Sequence, residues 1–110
     1  MVTTDVEEIK SKFKKNHKTR EMVSHSSKVH SVDWSSDGKR LASGSYDKTV
    51  CIFTLGTERL TKEHVFKGHG DSVDQLCWHP NKADMLATAS GDKTVSITLK
   101  DVVITYLLSP

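Results

Sequence analysis

The sequence predicts an all-β fold of two antiparallel four-stranded units, preceded by a short N-terminal helix. Three observations carry that expectation. "LASGSYDKTV" at 41–50 returns as "LATASGDKTV" at 86–95, identical at seven of ten positions. Short runs rich in Val, Ile, Thr and aromatic residues alternate with Asp-Gly and other turn residues. In front of them, "DVEEIKSKFKK" (5–15) places Val6, Ile9 and Phe13 on one narrow helical face.

The elements follow in order. Thr4 or Asp5 caps the helix; Asp5, Glu7 and Glu8 fall in its first turn and Lys12, Lys14 and Lys15 in its last, as the helix dipole favours. Residues 16–28 have no clear period and read as a linker. "VHSVDW" (29–34) is the first strand, and the Asp-Gly of "SSDGKR" (35–40) is a strong hairpin signal. "LASGS" (41–45), a turn at "YDK" and "TVCIF" (49–53) supply two more strands, and "KEHVF" (62–66) a fourth. The series then restarts. Val73, Leu76 and Trp78 stand 44 residues after Val29, Val32 and Trp34, and the offset becomes 45 because "HPNKAD" is one residue longer than its counterpart. Four strands in a period of about 40 to 45 residues resemble a blade of a WD40 propeller, so two blades of an incomplete propeller are expected. The chain divides into a helix and basic linker (1–24), a first repeat (25–68) and a second repeat (69–110) that is degenerate or truncated after about residue 97.

Composition excludes several classes. With 35% hydrophobic and 27% charged residues in 110, the chain is neither disordered in character nor membrane-like. No apolar run approaches a bilayer span, and "MVTTDVEEIK" carries acids where a signal peptide needs a basic start. Cys51 and Cys77 sit on separate strands and read as buried free thiols in a reducing compartment. Residues 1–20 hold six Lys/Arg against three acids, which leaves the rest of the chain at −1 out of a total of +2. Lys10, Lys12, Lys14, Lys15, Lys18 and Arg20 are therefore the candidate RNA-contacting cluster; without interleaved aromatics for base stacking, the simpler expectation is a solvated face.

The repeated turns carry the strongest constellation. Asp47 and Asp92 are placed to accept turn amides and a histidine at the start of the same unit, His25 or His69. Ser43 and Thr88, with Ser45 and Ser90 as alternatives, are placed to bridge that histidine to the third strand. Ser, His and Asp together also suit catalysis, but repetition in each unit and the lack of a G-x-S-x-G elbow favour a structural network. Cys77 and His79 alone fall far short of a zinc site, and no phosphate-binding glycine loop exists, so no cofactor or metal is expected.

"KVHSVDWSSDGKRLASGSYDKT", "GHGDSVDQLCWHP" and "TASGDKT" give a closer resemblance, to the WD40 subunits of the THO complex, over roughly residues 13–97. That resemblance implies a non-enzymatic scaffold in the nucleus whose partners are other protein subunits of the THO and transcription-export assembly, with RNA contacted indirectly and neither a membrane nor a small-molecule substrate involved. The resemblance further implies a part in coupling transcription and splicing to mRNA export. The alternatives are a WD40 adaptor of another complex, such as a ubiquitin-ligase substrate receptor, and RNA binding through residues 10–20.

Departures from the family pattern are specific. Ser24 replaces a glycine before His25, Phe53 and Thr98 stand where the third-strand tryptophan belongs, and Trp-Asp never occurs. "TLKDVVITYLLSP" leaves the pattern after Ile97, with "KDVVIT" resembling a later second-to-third-strand turn, as in a truncated form. Two units cannot close a ring, and "VVITYLL" should form an exposed apolar edge. Candidate partner-binding residues are Lys28, His30 and Tyr46 in the first unit and Ser72 and Asp74 in the second, around the network of His25, Ser43, Asp47, Phe53, His69, Thr88 and Asp92.

Overall fold

The computed structural model describes residues 19–99 and 102–108. Eight strands run in chain order: β1 (Val29–Trp34), β2 (Arg40–Ser45), β3 (Val50–Leu55), β4 (Leu60–Phe66), β5 (Val73–Trp78), β6 (Met85–Ser90), β7 (Thr94–Leu99) and β8 (Val102–Leu107). They form two separate antiparallel sheets, β1-β2-β3-β4 and β5-β6-β7-β8. The expectation is corrected at its front end. The described residues contain no helix, and the segment 5–15 lies outside them.

Turn chemistry closes the hairpins. Gly38 takes a φ of +69°, which suits the residue without a Cβ, while Asp37 accepts the Ser35 hydroxyl and the Lys39 amide. The β2–β3 and β6–β7 turns reach the same left-handed region through Lys48 (φ 74°) and Lys93 (φ 70°). One register shift interrupts β1 against β2 between Val29 and Ser31, and another interrupts β5 against β6 between Val73 and Gln75, so the two units share even their bulges.

The core lies between the sheets. Ala42, Val50 and Ile52 from the first sheet pack with Val73, Leu76, Trp78 and Leu86 from the second, and Phe66 joins at the edge. Polar contacts fix the strand-to-strand position. The Trp78 amide donates to Asp33 Oδ2 at 2.9 Å, its indole N–H donates to the Asp33 carbonyl at 2.9 Å, and the Leu76 amide donates to Ser31 Oγ at 3.3 Å. Gly44 is required here, because a Cβ at that position would meet Val73 Cγ1 at 2.7 Å.

Two details differ from the sequence expectation. "VVIT" and the residues after it form β8, the fourth strand of the second sheet, rather than a second-to-third-strand turn: a β-branched run beside the free edge of β7 completes a ladder from Leu99↔Val102 to Thr94↔Leu107. Cys51 is buried but Cys77 is exposed, because it points to the face of β5 turned away from the first sheet. As expected, β8 is exposed along its whole length.

Candidate functional site

Each unit builds a hydrogen-bonded network from its entry segment, second strand and turn. In the first unit, His25 Nδ1–H donates to Asp47 Oδ2 at 3.0 Å, which fixes the tautomer so that Nε2 accepts the Ser43 hydroxyl at 2.7 Å. Asp47 also accepts the Ser26 amide at 2.9 Å, the Thr49 amide at 3.0 Å and the Thr49 hydroxyl. In the second unit, His69 Nε2 accepts the Thr88 hydroxyl at 2.9 Å. There Nδ1–H donates to Thr94 Oγ1 at 3.1 Å, and the Thr94 hydroxyl passes on to Asp92, whose carboxylate is 3.9 Å from the ring. Asp92 closes the site by accepting the Gly70 amide at 2.7 Å and the Thr94 amide at 2.9 Å.

These contacts set the carboxylate ionisation. Burial opposes the charge on Asp47, but the Thr49 hydroxyl, the Ser26 and Thr49 amides and His25 outweigh it and hold the carboxyl far below its ordinary range. The Thr94 hydroxyl first, and then the Gly70 amide against a smaller cost of burial, bring Asp92 down to about 2.

The structure thus brings together His25, Ser43 and Asp47, and His69, Thr88 and Asp92. It resolves the open choice of bridging hydroxyl, since Ser45 and Ser90 instead donate to the Lys28 and Asp71 carbonyls. Phe53 is buried on the same face but has no donor to extend the network. Thr49 and Thr94 are members that sequence reasoning missed, although both stand in the repeated "DKT". Ser24 is more than a passive replacement, because its hydroxyl donates to Cys51 Sγ at 2.8 Å.

The first network has the order of a catalytic triad. Its serine is 4% exposed, however, beneath its own sheet and entry segment, so Ser43 Oγ meets no solvent-borne carbonyl. The chemistry left to it is rigid coupling of entry segment, strand and turn. His79, the other half of the C-x-H pair, accepts the Asn81 and Lys82 amides in its own turn, and among the described residues no cluster of three or more ligating side chains can hold a metal.

Around the networks lies a rim. The Tyr46 amide donates to the Lys28 carbonyl at 2.9 Å and the Gly91 amide to the Ser72 carbonyl at 3.1 Å, so entry segment and turn share one end of each sheet. Tyr46 is 60% exposed and meets His30 edge-on at 6.1 Å between ring centroids. Lys28, His30 and Asp74 are exposed and Ser72 half-buried, its hydroxyl donating to Asp74 at 2.8 Å. Of the basic cluster, Lys10, Lys12, Lys14, Lys15 and Lys18 lie outside the described residues. Arg20 lines a cleft of about 680 Å³ with Met22, Trp34 and Leu55.

Two repeated sheets, each with a histidine network, match one family model, "WD domain, G-beta repeat", at residues 16–54 and 60–98. The chain belongs to the WD40 repeat family. Among WD40 relatives, it is 49% identical over 84% of its length to the THO complex subunit 3 of Arabidopsis thaliana. It is 36% identical over 73% of its length to the anaphase-promoting complex subunit cdc20 of Dictyostelium discoideum. A chain in the crystal structure of a mitotic checkpoint complex superposes with a TM-score of 0.68 at 29% identity, over 76% of this chain and 28% of that one. This WD40 chain spans 30% of the THO relative and 17% of the cdc20 relative, less than a third of either.

Proposed function

We propose that the chain is a non-enzymatic scaffold element of a nuclear THO-type complex, joining the assembly that couples transcription to mRNA processing and export. The identity of 49% with the THO subunit across 84% of the chain carries this reading. That identity exceeds the 36% to the anaphase-promoting subunit, and the histidine networks give the rigid frame that a scaffold needs. In this reading the rim of Lys28, His30, Tyr46, Asp74 and the half-buried Ser72 meets the partner. Tyr46 is its anchor, since an exposed aromatic with a hydroxyl supplies both area and direction.

Purification of the tagged chain from nuclear extract tests it. Recovery of THO subunits, reduced at least about tenfold by Tyr46→Ala with melting unchanged, is the expected result. Recovery of anaphase-promoting or other ligase subunits instead would support the adaptor reading that the cdc20 similarity favours. RNA recovered without protein, held at high salt, would contradict both.

A further inference from the structure

The two sheets meet through a pattern that each outer face repeats unpaired. Inside the chain, Val73, Leu76 and Trp78 of β5 dock on a surface made of Ser31, Asp33, Ala42, Gly44, Val50 and Ile52. The counterparts of the docking residues, Val29, Val32 and Trp34, lie on the outward face of the first sheet, exposed by 51%, 59% and 45%. By register, the receiving surface recurs on the outward face of the second sheet as Cys77, Ala87, Ala89, Val95 and Ile97. Ile104 and Tyr106 of β8 extend it, and both are about half exposed, at 49% and 53%.

We propose that these two outer faces bind each other between copies of this chain, head to tail, so that copies close into a ring. The occupant is argued from continuity with the interface already inside the molecule, because the same strand pattern meets the same kind of surface by the same rotation. A contact between two different faces is heterologous, and a heterologous contact with a fixed rotation closes when the rotation divides a full turn. Propellers hold about four to eight blades, so two-bladed copies close at two, three or four.

The match is close but weaker than the internal one. Trp34 keeps a backbone carbonyl for its indole N–H at Cys77, in place of that of Asp33, and Gln75 stands where Ser31 accepts the incoming amide. The carboxylate that receives the Trp78 amide has no equivalent, because Cys77 replaces Asp33. Ala89 adds a methyl at the position of Gly44, where the internal contact has no room for one; Val32 is shorter than Leu76, but Val29 is as large as Val73, the nearest neighbour, so the two faces meet slightly farther apart. Association is therefore reversible and concentration-dependent. It uses the sheet faces rather than the rim proposed above, so either proposal can fail alone.

Sedimentation velocity of the full chain over a wide concentration range tests the ring. The mass is expected to rise with concentration and to stop between two and four copies. Val32→Glu blocks one face and Ile104→Glu the other, both at exposed positions, and circular dichroism checks that each still folds. Each variant alone should be monomeric, and an equimolar mixture should form a one-to-one pair and no larger species. Should either carboxylate unfold the chain, Val29→Lys and Val102→Lys mark the same two faces. A wild-type monomer at every concentration overturns the proposal, including one whose faces are filled only by blades of a longer WD40 chain. So does self-association of either blocked variant, which would mean a symmetric contact, and so does growth without limit.

Discussion

In both units a threonine hydroxyl lies 3.1 Å from the histidine Nδ1, but only one histidine also bonds its aspartate directly. His25 reaches Asp47 directly, whereas His69 reaches Asp92 through Thr94. Thr94→Val therefore leaves the buried His69 N–H without an acceptor, and a loss of about 1–3 kcal/mol in urea unfolding is expected. Thr49→Val should cost clearly less, because the direct bond remains, and equal losses would refute the relay. The carboxylates make a second prediction. A carboxyl whose pKa is depressed by folding adds stability above its unfolded value, near 3.9, and that stability is lost as pH falls through the folded value. With Asp92 at about 2 and Asp47 lower, both contributions are complete above about pH 5 and decline below about pH 4. Asp92→Asn should flatten the acid limb of the stability curve; an unchanged limb would mean that other carboxylates set it.

At the scale of strands, the inner elements are legible and the outer ones less so. β1 matches its expected bounds at Val29–Trp34, and β5 (Val73–Trp78) begins and ends on two of the residues expected to restart the series, since aromatic and β-branched residues there carry the packing. β4 starts at Leu60, two residues before the expected start, because Thr61 to Val65 are all exposed and leave no alternation to read. β8 was hidden by a likeness to a turn elsewhere in the repeat, although a run of Val, Val, Ile and Thr favours a strand wherever a free edge is offered. The histidine partners were readable from the repeat, but the role of Thr49 and Thr94 depends on side-chain geometry that spacing does not convey. One difference between the units is explained only by their neighbours. Gly44 lies under Val73, while its counterpart Ala89 lies on a face that none of the described strands covers. Gly44→Ala should thus cost about 1–3 kcal/mol by overpacking, whereas Ala89→Gly should cost no more than the weaker strand preference of glycine. Thermal melting of the pair distinguishes them, and comparable losses would mean that close approach is not what selects the glycine.

For the molecule as a whole, the question is whether two sheets make one folding unit. The main apolar cluster needs both: the residues buried between the sheets come from each, and Trp78 binds the first sheet through its backbone amide and its indole as well as by packing. Repeat architectures gain stability from such interfaces, because a single unit cannot bury its faces. Removing the Trp78 side chain should accordingly cost about 3–5 kcal/mol, a large share of what a domain this small can hold. Its effect should also spread. Native-state hydrogen exchange of the intact chain is expected to show slow amides in β2, β3 and β6, and the fastest strand amides in β8, which is exposed throughout and paired on one side. In Trp78→Ala, protection should fall in β2 and β3 together with β6, although the substitution lies in the second sheet. If the first sheet kept its wild-type exchange rates while the second lost protection, the sheets would be separate units, and the interface between them an ornament of the fold rather than its foundation.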